Sequence, residues 1–194
     1  HVQAFGGKVV MTSAHHRSGT ERCHEVIEKM KNIGNEDVIF NIQGDEPFIE
    51  PSQLELLSKC FDDKNTRIAT LAKKLTDPSL LHNPNVPKVI FNNNLEAIYF
   101  SRAPLPWCRD EEKEKWLSKH SYYKHIGIYS YRAGTLKEIA KLSPTGHEVA
   151  ESLEQLRWID NGYKIKIAIT ELESISVDTP EDLERVGKRK YRLM

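Results

Sequence analysis

A chain of 194 residues is long enough to bury one sizeable core and requires no second domain. Lys plus Arg and Asp plus Glu balance at 28 each, so no whole-chain field gathers nucleic acid or an anionic membrane surface, while a local basic pocket stays open. With 39% hydrophobic residues and a mean hydropathy of -0.56 the chain reads as a globular protein of aqueous compartments, and apolar runs such as Val38-Ile39-Phe40 are far too short to span a bilayer.

Short β-rich runs alternate with amphipathic helices, which predicts an α/β fold of three layers with a mostly parallel sheet. Lys8 to Thr12 reads as a first strand, Ser18-Gly19-Thr20 as a turn and cap, and Cys23, Val26, Ile27 and Met30 recur at helical spacing. Asp37 to Gln43 is the strongest strand signal and ends in Gly44, after which Pro51 opens a helix carrying Leu54, Leu57 and Phe61 on one side. Arg67 to Leu75 is another strand. Lys88–Phe91 and Ala97–Ser101 flank Asn92-Asn93-Asn94, a β-turn signal that predicts a hairpin extension of the sheet. Arg109 to Lys119 is rich in charge and poor in periodic apolar positions, so it reads as an exposed loop or short solvated helix. His125 to Arg132 is a strand and a helix follows over Gly134 to Leu142. Thr145-Gly-His-Glu148 is a capping box that opens a helix running through Trp158. Lys164 to Thr170 alternates with period two, and Thr179 with Pro180 begins a terminal helix. No repeat, low-complexity tract or linker divides residues 1–194, which read as a single domain.

Chemistry concentrates at the ends of these strands. Asp45, in Asn41-Ile-Gln-Gly-Asp-Glu-Pro47, follows an apolar strand and so stands where open α/β sheets place their ligands. A carboxylate there can hold Mg2+ beside a nucleotide phosphate, but spacing alone favours the ordinary reading, a turn aspartate after Gly44. Asp178 lies just before the capped terminal helix and reads first as capping chemistry. Ser18, Gly19, Thr20 and Arg22 follow a strand with small residues and a helix start, which lets backbone N–H groups approach a phosphate or ribose, although neither GxxxxGK[ST] nor GxGxxG is present. Arg102 and His125 are polar groups at strand ends: the first suits a carboxylate, and each also has an ordinary reading, as a surface ion pair and a satisfied strand histidine. Glu154 and Gln155 sit on an amphipathic stretch that reads as a solvated face, and Tyr99, Phe100, Tyr129 and Tyr131 read as core. Cys23, Cys60 and Cys108 form neither an even disulfide framework nor a CxxC pair, which suits a reducing compartment such as the cytoplasm; none of the histidines has zinc-site spacing.

Taken in order, SGTER (18–22), NIQGDEP (41–47), NPN (83–85), YFSRAPLPW (99–107), HIGIYSYR (125–132), LEQLR (153–157) and VDTPEDLERV (177–186) resemble the 3-deoxy-manno-octulosonate cytidylyltransferases almost end to end. The resemblance implies a nucleotide-diphospho-sugar transferase-like fold, a homodimer, Mg2+ dependence, CTP as donor and 3-deoxy-D-manno-octulosonate (Kdo) as acceptor. It implies Asp45 and Asp178 as magnesium ligands, and Ser18, Gly19, Thr20, Arg22 and Gln43 facing the cytidine. Arg102, His125, Glu154 and Gln155 would face the sugar, with Asp45, Asp178 and Arg102 as the catalytic set. The implied reaction is attack of the sugar's anomeric 2-hydroxyl on the α-phosphorus of CTP, with no side-chain nucleophile.

The family also has a loop of the PARxxSxRLPGK type that grips the triphosphate, and no segment of this chain matches it. By family length that loop belongs to about fifty residues preceding the position of His1. Two other readings stand beside the first: a sister cytidylyltransferase for sialic acid or 8-amino-Kdo, differing in acceptor alone, and a non-catalytic sugar-binding dimer module, which the missing loop favours and the presence of both Asp45 and Asp178 opposes.

Overall fold

Ile68 and Ala72 join one apolar cluster and Ala69 and Leu71 another, so a single strand feeds two cores on opposite faces of one sheet. The computed structural model describes residues 1–44, 46, 48–172, 177 and 184. Its helices are α1 (Gly19–Lys29), α2 (Pro51–Cys60), α3 (Pro78–Leu81), α4 (Trp116–Lys119), α5 (Ala133–Ile139), α6 (Gly146–Glu151) and α7 (Gln155–Asp160). Its strands are β1 (Val38–Asn41), β2 (Ile68–Lys74), β3 (Lys88–Phe91), β4 (Ala97–Ser101), β5 (Tyr123–Arg132) and β6 (Lys166–Ile169). Leu57 of α2 and Phe61 just after it pack on Ala69, Leu71, Ile126 and Ile128; Ile27 of α1, Leu136 of α5 and Leu156 and Trp158 of α7 pack on Tyr129 and Tyr131 from the other side. The three layers, the hairpin of β3 and β4, and the core placement of both tyrosines agree with the sequence reading.

The pairing of the sheet differs from expectation. Among the described strands only β2 and β6 pair in parallel, while β5 pairs antiparallel with β1, β2 and β3, and β3 antiparallel with β4. Because β1, β2 and β3 all oppose β5, and β6 follows β2, four strands share one direction and β5 is inserted among them. Alternation of apolar residues reveals which faces a strand buries, but not the direction of its neighbour.

Three local differences have physical causes. Lys8 to Thr12 pairs with no described strand and is held instead by side chains of α1: Lys29 Nζ donates to Met11 O at 2.7 Å, and Arg22 Nη1 to Thr12 Oγ1 at 2.6 Å. The charged segment 109–119 forms a short 3-10 turn and α4, yet its Trp116 is fully buried against Leu81 and Tyr122. The helix predicted from Thr145 through Trp158 is broken at Ser152, which adopts φ 51°, a left-handed conformation that ends α6 before α7 begins. The capping interaction at its start is present, with Thr145 N donating to Glu148 Oε2 at 3.3 Å. The expected terminal helix from Thr179 lies outside the described residues.

Candidate active site

β5 is paired along one edge by β2, but its other edge is covered only in part: β3 meets it at Lys124 and β1 at Tyr129 to Arg132. Between these two partners Ile126 to Ile128 faces a gap, and a cavity of about 250 Å3 sits there. Its walls are Lys124 to Gly127 of β5, Asn85 to Pro87 of the loop before β3, and Glu46 of the loop after β1. The same stretch of β5 is bulged, since Thr70 pairs with Tyr129 but Leu71 with Ile126. Thr70 Oγ1 lies 2.8 Å from Ile128 O and 3.2 Å from Ile126 O, so its single proton is committed to the carbonyls of the bulge. His125 Nε2, 3.0 Å from the same oxygen, must then be the donor. This fixes the tautomer and leaves Nδ1 as an acceptor. His125 is half-buried, packs edge-on against Phe100, and burial pushes its pKa down to about 3, so the ring is neutral near pH 7.

A second group forms where α1 meets α7. Ser18 caps α1, its Oγ accepting from Glu21 N at 3.3 Å, and buried Thr20 donates from Oγ1 to Glu154 Oε2 at 3.0 Å. Burial pushes the Glu154 carboxyl up, and the hydroxyls of Ser18 and Thr20 together with the charge of Arg157 partly oppose this. Gly19 makes room for β1's exit: a Cβ there would stand 2.8 Å from Gln43 Nε2 and 3.3 Å from Asn41 Nδ2. Gln43 Nε2 in turn donates to Asn41 Oδ1 at 3.2 Å. Gln155 is buried, and its Nε2 has no hydrogen-bond partner among the described residues. Beneath them Arg157 grips Glu148 through Nε at 2.7 Å and Nη2 at 2.5 Å, which ties α7 to α6.

Arg102, one residue beyond β4, holds backbone rather than a side-chain partner. Its Nε donates to Glu151 O at 2.6 Å, Nη1 to Pro84 O at 2.9 Å and Nη2 to Ser152 O at 3.3 Å. A guanidinium has five N–H donors, so two remain after these three.

The structure thus brings Ser18, Gly19, Thr20, Gln43, Glu154 and Gln155 together, and sets His125 at the cavity. Arg102 reaches that cavity only through the loop at Pro84. Arg22 is exposed and turned back to Thr12. Asp45 and Asp178 lie outside the described residues. Among the described residues no three His, Cys, Asp or Glu side chains gather as a metal site. Glu46 nonetheless brings carboxylate chemistry to the cavity wall beside position 45, and carboxylates completed by phosphate oxygens are donors suited to Mg2+. The sequence reading passed over Asn41, Thr70, Lys88 and Glu151. The first two carried a signal, a polar residue inside or ending an apolar strand; a lysine and a glutamate near element ends looked like ordinary surface charges.

The cytidylyltransferase family pattern matches residues 1–167. A 3-deoxy-manno-octulosonate cytidylyltransferase of Parabacteroides distasonis is 56% identical over 95% of this chain and 74% of its own length. One of Phocaeicola vulgatus is 57% identical over 95% of this chain and 73% of its own. A solved structure of CMP:2-keto-3-deoxy-manno-octonic acid synthetase complexed with CTP superposes with a TM-score of 0.89 at 38% identity, covering 100% of this chain and 76% of that one.

Proposed function

We propose that this chain, which belongs to the 3-deoxy-manno-octulosonate cytidylyltransferase family, transfers CMP from CTP to Kdo, yielding CMP-Kdo and pyrophosphate and activating the sugar for lipopolysaccharide synthesis. The observation that carries this reading is the junction of Thr20 and Glu154. The segment read as facing the nucleotide and the segment read as facing the acid sugar meet in one hydrogen bond, as a transfer between two bound substrates requires.

In the reaction the anomeric 2-hydroxyl oxygen of Kdo bonds to the α-phosphorus of CTP and loses its proton to solvent, the bond from that phosphorus to the α–β bridging oxygen breaks, and pyrophosphate leaves carrying the bridging oxygen. Ser18, Gly19, Thr20 and Gln43 position the cytidine, and the small Gly19 lets the exit of β1 approach α1; Arg22 joins them only by leaving Thr12. The two spare N–H donors of Arg102 suit the sugar carboxylate, and the unpartnered amide of Gln155 suits a sugar hydroxyl. His125, with a pKa near 3, is too weak a base to take a proton at pH 7; its Nδ1 instead accepts a hydrogen bond and orients the acceptor. Asp45 and Asp178 would hold Mg2+, which when bound supplies charge neutralisation at the triphosphate and acidifies the attacking hydroxyl.

We further read the protein as a cytoplasmic homodimer. Cys23, Cys60 and Cys108 are all free thiols, which suits a reducing compartment, and no helix among the described residues is long and apolar enough to cross a membrane. Exposed Ile98 and Trp107 near the β3–β4 hairpin suit a partner copy, which light scattering would detect. Mass-spectrometric identification of CMP-Kdo formed from CTP and Kdo tests the reaction itself; formation of CMP-sialate instead would assign the chain to the sister specificity.

A further inference from the structure

Lys88, the first residue of β3, is fully buried, an unusual position for an ammonium group. Its Nζ donates to Asn83 O at 2.9 Å, closing the loop of residues 83–87 back onto the strand that the loop introduces. That loop is held at two further carbonyls: Arg102 Nη1 donates to Pro84 O at 2.9 Å, and the backbone N–H of His125 to Pro87 O at 2.8 Å. Two basic side chains and one backbone N–H, from three strands or strand ends, therefore fix one short loop, and residues 85–87 of it form a wall of the cavity at His125.

Glu151, the last residue of α6, secures the opposite side. Its carboxylate accepts from Ser101 Oγ at 2.6 Å and from Arg102 N at 2.9 Å, while its own carbonyl accepts Arg102 Nε. The next residue is Ser152, whose left-handed turn delivers Glu154 and Gln155 to their places. Neither Lys88 nor Glu151 lines the cavity at His125, and each acts on that site through hydrogen bonds to its supports, Asn83 O for Lys88 and Ser101 Oγ and Arg102 N for Glu151. A buried charge that is retained at an apolar strand start needs a reason beyond stability.

We propose that Lys88 and Glu151 are a pair of positioning residues for the acceptor pocket: Lys88 sets loop 83–87, Glu151 sets Arg102 and the α6–α7 corner, and together they define the Kdo subsite without touching the nucleotide subsite. The pair is also electrically linked. Burial lowers the Lys88 pKa to about 8, the carboxylate of Glu151 opposes that fall, and the charge of Arg102 adds to it. A pKa of about 8 leaves the ammonium form in the majority at neutral pH, and the Glu151 carboxylate favours that form.

This inference rests on the reading of Arg102 and His125 as acceptor-binding residues. The test is steady-state pyrophosphate release by the intact protein and its Lys88→Met, Glu151→Gln and Glu151→Asp variants, varying Kdo at saturating CTP and then CTP at saturating Kdo. Loss of one hydrogen bond in the clamp predicts a KM for Kdo raised about tenfold in Lys88→Met and in Glu151→Gln. The KM for CTP stays within about twofold, and Glu151→Asp recovers part of the loss. Should Lys88→Met fail to fold, Glu151→Gln, which keeps the volume, carries the same comparison. KM values for both substrates rising together, or neither moving, would overturn the proposal while leaving the Kdo reaction of the unsubstituted protein intact. An unsubstituted protein that releases no pyrophosphate with Kdo overturns the functional reading and this inference with it.

Discussion

Thr20 Oγ1 donates to Glu154 Oε2 at 3.0 Å across 134 residues of sequence, joining the first turn of α1 to the start of α7. Because the hydrogen bond favours ionised Glu154 against the burial that disfavours it, Thr20→Val should push the Glu154 carboxyl still further above the usual carboxylate range. If the ionised form is the active one, the acid limb of the kcat/KM profile moves to higher pH in Thr20→Val. An unmoved limb with a uniformly lowered rate would mean that Thr20 matters only for packing.

The same burial has a stability consequence of definite sign. A carboxyl whose folded pKa lies above its unfolded value of 4.5 costs nothing below that value, and its penalty becomes complete as pH rises through the folded pKa. Glu154→Gln should therefore raise the thermal midpoint at pH 8 and lose that advantage at pH 4, while its activity falls. Scanning calorimetry at the two pH values reads this out, and equal shifts at both would contradict the linkage.

His125 should show no titration between pH 5 and 9, and its ring should carry the proton on Nε2 throughout, held by Thr70. Nitrogen-detected NMR of the ring distinguishes the two tautomers directly. Thr70→Val removes the acceptor and the bulge's hydroxyl together, so a mixture of tautomers and a raised KM for Kdo are expected from it.

Gly19→Ala places a methyl within 2.8 Å of the Gln43 amide, which can swing away on its own flexible side chain. The fold should survive with little change in thermal midpoint, and the cost should fall on nucleotide binding. A KM for CTP raised by about tenfold with an unchanged KM for Kdo is the expected split.

Arg157 is buried and held by Glu148 alone among carboxylates within ion-pairing distance in the described residues. Glu148→Ala leaves a buried guanidinium without its hydrogen-bonded ion-pair partner, with only the more distant carboxylates of Glu154 and Glu21 to offset it, and should destabilise the protein by about 3 kcal/mol. Chemical denaturation measures it, and removing both partners together should cost less than removing Glu148 alone.

Much of this architecture was legible in the sequence because apolar periodicity reports burial. The hairpin at Asn92, the cap at Thr145 and the core tyrosines all follow from local rules. Direction was not legible: nothing in HIGIYSYR says that it enters between strands running the other way. Nor was the break at Ser152, since a serine with positive φ leaves no mark that a helical serine lacks. For the proposed site, the ordered motifs pointed to Ser18, Thr20, His125 and Glu154, and the structure shows that Thr20 and Glu154 touch. Lys88 and Glu151 escaped because a charged residue at the end of an element is ordinarily solvated. Their roles appear only when the loop at Asn83 is seen folded back over the strand.

The most direct test of the account is pyrophosphate release by the intact protein with CTP, Mg2+ and Kdo, set beside Asp45→Ala and beside sialic acid as acceptor. The account predicts Kdo-dependent release that Asp45→Ala abolishes and sialic acid does not support; no release with Kdo, or undiminished release in Asp45→Ala, would contradict it.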